Sequence, residues 1–344
     1  MKNERRGVVI CGAYGMDNAG DDAVLQSIVA SLRGFDGGMP VCVMGRRPRA
    51  LAARFGVAAA GRLQIVRWLR AMRRAKLFIL GGGSLLQDAT SRRSLWYYLI
   101  AVRLAKKMGC AVQLYGCGAG PVRHERETAR CARVLNECAD VICLRDEKSA
   151  RTLAEWGVTR PRIVPAADSA FALAAPSGER ERAIGFALRT WPAFSEKIPA
   201  FARAARYAYE NYGLTPVFFA FAPGDAAAAR RVTAAAGDVP CRLYSDPRGI
   251  ARMSAVLSMR LHGLIFAVLG GAGAAGVSYD VKVSSFCREN ALPCTLLGDV
   301  TEAGLCALID RAVHADAEAL AEKRERLRRA ERANAEVAWE LLSR

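Results

Sequence analysis

The sequence predicts an α/β protein made of two doubly wound domains facing across a cleft. Short, continuous apolar runs alternate with amphipathic helical stretches along the whole chain, and a glycine or a charged residue follows most of the runs. The alternation pauses once, at a small, proline-bearing segment near residue 175, and then restarts. Strands buried on both faces read as unbroken apolar runs, and strands spaced by helices form parallel sheets.

In the first half the runs "GVVICG", "PVCVMG", "AKLFILGGG", "CAVQLYGCG" and "ADVICLRD" read as strands, with helices over 22–33, 62–74, 92–108 and 124–137. "LAAPSGER", residues 173–180, has linker composition. Strands resume at "RAIGFALR", "LTPVFFAFAP", "SAVLSM", "GAAGVS" and "PCTLLG", with helices over 195–212, 224–235 and 261–270. One long charged helix is expected over 302–342. The division is thus a Rossmann-like domain over 1–173, a linker over 174–180 and a second Rossmann-like domain over 181–315. A C-terminal helix over 316–344 is long enough to cross back to the first domain. In such sheets ligands bind beyond the carboxyl ends of the strands.

The chain of 344 residues is 52% hydrophobic and 24% charged, a composition of folded rather than disordered protein. Its net charge of +17 points to anionic partners: nucleic acid, an anionic membrane surface or phosphorylated small molecules. The 11 cysteines are odd in number, lie mostly in apolar runs (Cys11, Cys42, Cys110, Cys143) and form no CxxC, which fits reduced thiols in a cytoplasmic protein. The charged start "MKNERRGVVICG" leads straight into a strand, so no signal peptide is expected. The apolar stretch 263–277 is too short and too glycine-rich to span a bilayer. His124, His262 and His314 have no ligand spacing, so no metal site is expected.

The chemistry should lie in the loops after the strands. In "CGAYGMDNAGDDAVLQSI" three glycines turn the chain into a helix starting near Asp21 or Asp22. Asp17, Asn18, Asp21 and Asp22 crowd that turn; carboxylates repel a bare phosphate, so a hydroxyl-rich sugar is the better guest. Asp21 reads either as a cap alone or as a cap that also meets a ligand. In "LFILGGGSLLQDATSRRS" the glycines admit close approach of a ligand, with Gln87 and Asp88 nearby; a tight turn without a ligand is the alternative. Arg145 follows the strand of "VICLRDEKS" and would project into the cleft, or else pair at the surface; Asp146 and Ser149 fall in the first helical turn behind it.

"SMRLHGLIFAVLGGAG" places Arg260 and His262 at a helix N-terminus, which already favours anions. Adding cations there makes sense beside an anionic ligand; a core histidine is the alternative for His262. "VSYDVKVSSF" delivers Lys282 to the same rim. Arg145, Arg260, His262 and Lys282 together describe a pocket for a small anion bearing phosphate and carboxylate.

The ordered set "GAYGMDNAGDDAVLQSI", "GGGSLLQDATSRRSLWYY", "LRDEKS", "MRLHGLIFA" and "SYDVKVSSF", spread over residues 8–290, resembles the polysaccharide pyruvyl transferases. The nearest likeness is to the CsaB-like members that modify secondary cell-wall polymers. The resemblance implies a GT-B-like fold. It also implies phosphoenolpyruvate as donor, with no other cofactor, and transfer of pyruvate as a 4,6-ketal to N-acetylmannosamine on a lipid-diphosphate-linked intermediate. Carried over, Arg145, Arg260, His262 and Lys282 bind the donor. Three positions depart from the family pattern: Ala13 for an aromatic, Val281 for a proline, and a shorter segment after Pro223.

Ketal formation requires a proton at the methylene carbon of phosphoenolpyruvate and loss of phosphate. A histidine is suited to that donation near neutral pH, so His262 is assigned as general acid. Arg145, Arg260 and Lys282 would stabilise the departing phosphate. Asp17 or Asp21 would accept the hydroxyl proton, with Asn18, Asp21, Gly83 and Gln87 on the acceptor. The basic stretch "RLQIVRWLRAMRRAK" (62–76) either offers Trp68, Leu69 and Met72 to an anionic membrane at the inner face of the cytoplasmic membrane, or packs them on the sheet. Two rivals remain: a GT-B glycosyltransferase using a nucleotide sugar, and a non-enzymatic module binding nucleic acid. The second lacks any recognised motif, so no nucleic-acid partner is expected.

Overall fold

A computed structural model describes residues 5–89, 91–175, 178–244 and 246–344. Within it the chain divides into two compact units, residues 1–173 with 327–344 and residues 174–326. Pro176 and Ser177 of the expected linker, and the first four residues of the charged start, lie outside the described residues.

Unit 1 alternates strands and helices as β1 (Val8–Cys11), α1 (Ala19–Phe35), β2 (Val41–Gly45), α2 (Pro48–Phe55), β3 (Ala58–Gly61), α3 (Ile65–Arg74) and β4 (Leu77–Leu86). It continues with α4 (Arg92–Lys107), β5 (Ala111–Ala119), α5 (Glu125–Cys138), β6 (Val141–Leu144), α6 (Glu147–Glu155) and β7 (Arg162–Pro165). Its sheet is parallel in the order β3-β2-β1-β4-β5-β6-β7. Unit 2 runs through β8 (Glu181–Ala187), α7 (Phe194–Tyr212), β9 (Thr215–Phe219), α8 (Asp225–Ala236), β10 (Arg242–Tyr244), β11 (Met253–Ser258) and α9 (Leu261–Gly270). After these come β12 (Gly273–Ser278), α10 (Val281–Glu289), β13 (Cys294–Leu296), α11 (Glu302–Val313) and α12 (Ala317–Ser343). Its parallel sheet has the order β10-β9-β8-β11-β12-β13.

Both units are therefore Rossmann-like. In each, the strand order reverses once, between β1 and β4 in unit 1 and between β8 and β11 in unit 2. Loops on either side of such a switch point part from each other and leave a crevice for a ligand. Apolar residues of the strands pack against helices to form the cores: Phe78, Leu80, Leu114 and Ile142 on one face of the first sheet, and Phe186, Phe218 and Leu257 in the second.

The structure corrects three expectations and decides between two alternatives at a fourth place. Helix α1 begins at Ala19, capped by Asn18, whose side chain accepts from Gly20 N at 3.1 Å; Asp21 and Asp22 lie inside the first turn. Strand β4 runs through its glycines to Leu86 instead of ending before them. The long C-terminal helix is two helices, because Asp316 accepts from Ala319 N at 2.7 Å and starts a new one. In α3, Trp68 and Met72 point into the core of unit 1, where Trp68 donates Nε1–H to Gly61 O, so neither is offered to a membrane. The residues left in water there are Leu63, Ile65 and Val66. Among the described residues no helix is long and apolar enough to cross a membrane.

From Leu327 onward α12 belongs to unit 1, held by a buried polar seam. Gln113 donates to Asn334 O, Asn334 donates to Ala167 O, and Tyr115 donates its hydroxyl to Glu331 at 3.4 Å. Burial pushes the Glu331 carboxyl up to about 7, against the opposing pull of Tyr115, Asn334 and Arg328, while Asp168 adds to the rise. A carboxyl raised in the folded state stabilises the fold fully below its unfolded value. That contribution is lost as pH rises through the folded value. Unit 1 should therefore lose about 3 kcal/mol between roughly pH 4.5 and pH 8 through this group. Glu331→Gln should flatten that slope in urea unfolding curves and be the more stable protein at pH 8; an unchanged slope would contradict the assignment.

Candidate functional site

The carboxyl edge of the second sheet carries Arg260 and His262. Two adjacent turns there are built alike. At the end of β11, Ser258 accepts from Arg260 N and donates to Arg260 O; at the end of β12, Ser278 donates to Asp280 O. Arg260 and Asp280 then take the N-cap positions of α9 and α10. His262 and Lys282 are consequently the second residues of two helices that follow neighbouring strands, and both emerge on one edge.

Arg260 is not an unpaired cation. Asp225, the first residue of α8 and itself buried, receives its Nε at 3.0 Å and its Nη2, and also accepts from Phe221 N and Ala222 N at 3.0 Å each. The cation at the helix start thus has an internal carboxylate. Lys282 is only loosely held, with Nζ 3.7 Å from the Asp280 carboxylate. His262 lies beside Phe266, ring centres 6.3 Å apart, and no side chain caps α9. The edge therefore offers a histidine, a lysine and a positive helix end to an anion.

Sequence reasoning missed the group across the switch point. Arg189, just past β8, donates to the Tyr279 hydroxyl at 2.6 Å. Its guanidinium carbon lies 5.0 Å from the Tyr279 ring centre and 5.3 Å from that of Trp191. The two rings are 4.7 Å apart. The signal that singled out Arg145, a basic residue immediately after a strand, is equally present in "GFALRTW".

In unit 1 the sequence-predicted residues fall at and near the switch of the first sheet. The side of Gly83 faces Asp21: a Cβ there would sit 3.7 Å from a carboxylate oxygen of Asp21. Gly81 and Gly82 serve packing, since a Cβ would lie 2.4 Å from the Tyr14 hydroxyl or 2.2 Å from a Val24 methyl. Asn18 caps α1, and Asp17 pairs with Arg47 at 2.6 Å on the open surface. Gln87 follows β4, and the adjacent Asp88 accepts from Arg123 N at 3.0 Å.

Arg145 is buried. It donates to Ser84 at 2.8 Å, Asp168 at 3.2 Å and Asp146 at 3.3 Å. Burial works against its charge, but Asp168 and Asp146 outweigh it and hold the guanidinium above the ordinary arginine range. It ties the ends of β4 and β6 to the turn at Asp168, and Gly118 leaves it room, since a Cβ there would lie 2.9 Å from Nη2. Arg145, on unit 1, and Arg260, on unit 2, are thus both carboxylate-paired.

A sequence profile of the polysaccharide pyruvyl transferases matches residues 18–231, more than half of the chain. The chain belongs to the polysaccharide pyruvyl transferase family. Its members are enzymes that transfer pyruvate to polysaccharide, and the match includes the loops of Asn18, Asp21, Gly83, Gln87 and Arg145. It ends before Arg260, His262 and Lys282. No curated protein matches.

Solved structures place the pyruvyl transferase among GT-B-like folds. HepE of Anabaena, in complex with UDP and glucose, superposes with a TM-score of 0.64 at 10% identity over 98% of this chain and 99% of that one. The calicheamicin glycosyltransferase CalG4 gives 0.58 at 13% identity over 99% of each chain. A UDP-GlcNAc 2-epimerase from Methanocaldococcus jannaschii gives 0.62 at 9% identity over 94% of this chain and 98% of that one.

Proposed function

We propose that the donor is phosphoenolpyruvate, bound at the carboxyl edge of unit 2 without a further cofactor. The acceptor is N-acetylmannosamine of a lipid-diphosphate-linked cell-wall precursor, which receives pyruvate as a 4,6-ketal in the cytoplasm at the inner face of the membrane. The observation that carries this reading is the equivalent placement of His262 and Lys282 beside the uncapped start of α9. The carboxylates of that edge are already engaged: Asp225 by Arg260 and two amides, Asp280 as the cap of α10. A small anion fits this better than the ribose of a nucleotide, whose hydroxyls call for a free carboxylate.

His262 protonates the methylene carbon or the departing phosphate. Lys282 holds the phosphate as a point charge, and the paired Arg260 and Arg145 set the potential and the loop geometry around their own edges. One sugar hydroxyl adds to the central carbon as the methylene becomes methyl. The second then displaces phosphate and closes the ring. The two hydroxyls lose two protons: one ends on the methyl carbon and one leaves with phosphate. Asp17, on the open surface beside Arg47, or Asp21, facing Gly83, accepts a hydroxyl proton.

Calorimetric titration with phosphoenolpyruvate and with UDP-glucose tests the reading. Phosphoenolpyruvate should bind and UDP-glucose should not, and Lys282→Ala should weaken phosphoenolpyruvate about tenfold or more, some 1.4 kcal/mol. Binding of the UDP-sugar alone would replace this reading with a nucleotide-sugar glycosyltransferase.

A further inference from the structure

We infer that the start of α3 is a docking surface for an anionic phospholipid bilayer. Leu63 and Val66 are 93% and 60% exposed, the two most exposed large apolar side chains among the described residues, and Ile65 between them is 54% exposed. Ile65 and Val66 are in water because Trp68 and Met72 occupy the inward face of the same helix, and Leu63 lies in the turn just before it. The chain around it is of one sign: between Asp36 and Asp88 the sequence holds ten arginines and lysines and no acidic residue, and of the ten only Arg47 and Arg54 meet carboxylates among the described residues, those of Asp17 and Asp22.

Several other surface cations of this unit sit on carboxylates. Arg92 and Arg130 meet Glu127, Arg103 meets Glu137, Lys106 meets Asp140 and Arg151 meets Glu147. Arg67, Arg70, Arg73 and Arg74 of α3 are exposed and pair with no carboxylate among the described residues. An apolar tip flanked by unpaired arginines complements a surface of lipid phosphates over acyl chains. A nucleic acid would instead call for exposed aromatic faces, and the tryptophan of this helix is buried.

The helix follows β3 of a parallel sheet, so its start lies at the carboxyl edge that also bears Asn18, Asp21, Gly83 and Gln87. Docking there would hold the acceptor edge of unit 1 near a lipid-anchored sugar. That benefit rests on the proposed acceptor; vesicle binding itself does not.

The test is cosedimentation of the full chain with vesicles of phosphatidylcholine alone or with about 30% phosphatidylglycerol. The wild type should bind the anionic vesicles at least about tenfold more tightly and lose that binding as salt rises from about 0.1 M to about 0.5 M. Leu63→Ser/Val66→Ser and Arg67→Gln/Arg70→Gln/Arg73→Gln should each lose about tenfold while keeping the wild-type melting temperature, since all five side chains are solvent-exposed. Equal binding to both vesicle types, or wild-type binding by either variant, overturns the inference. So does tight binding to RNA that the arginine variant loses and the apolar variant keeps. Anionic-vesicle binding without any response to phosphoenolpyruvate would keep this surface and remove the proposed donor; the reverse result would do the opposite.

Discussion

His262→Ala is expected to lower turnover by roughly 10²–10⁴-fold, the range of a lost general acid, with phosphoenolpyruvate affinity changed by less than about tenfold. The split follows from the division of labour on the unit 2 edge. In the proposed reading Lys282, loosely held by Asp280, and the uncapped start of α9 would hold the anion, whereas the imidazole would contribute when a proton moves. His262 is also cheap to shorten in packing terms: it is half-buried, and its ring neighbour Phe266 stays packed against Phe221. Phosphate release from phosphoenolpyruvate in the presence of acceptor gives turnover, and calorimetry gives affinity. Retention of more than about a tenth of wild-type turnover would remove His262 from the proton transfer, and loss of affinity matching the loss of rate would make it a binding residue.

Asp225→Ala is expected to destabilise unit 2 by about 3–5 kcal/mol. The substitution strands the Arg260 guanidinium, only 13% exposed, without its carboxylate and removes the acceptor of two backbone N–H groups at Phe221 and Ala222. Most of that cost is the uncompensated charge, so Asp225→Ala/Arg260→Met should recover part of it, and the two single effects should not add. Asp225→Asn should fall between, because the amide oxygen still accepts from the backbone. Urea unfolding of the wild type, Asp225→Ala, Arg260→Met, the double variant and Asp225→Asn decides the matter. Additive effects would mean that the pair contributes little and that Arg260 is available to a ligand as its position first suggested.

Several features were legible from the chain alone for local reasons. The stretch 261–270 reads as a helix and is one, because an apolar run behind a glycine-bearing turn leaves few alternatives. Edge strands were harder. β3 is four small residues, Ala58–Gly61, and β7 and β10 are largely exposed, so none carries the continuous apolar run of a strand buried on both faces. The break at Asp316 was missed because charge and helix propensity continue across it, and only the cap geometry shows where one helix ends.

The sequence by itself determined the alternation of strands and helices, the two doubly wound sheets and the ordered loops that mark the family, all of which depend on neighbours along the chain. The tertiary structure decided which charges are already matched. Asp225 lies 35 residues before Arg260, Asp168 lies 23 residues after Arg145, and no periodicity links either pair. It also decided which face of α3 is wet: a helix rich in both arginine and apolar residues can turn either of two apolar stripes inward, and packing against α4 and the sheet selected Trp68 and Met72. Crossovers in a parallel sheet gather residues distant in sequence onto one edge, so charge balance and surface chemistry there are properties of the fold, whereas hydrophobic rhythm is a property of the chain.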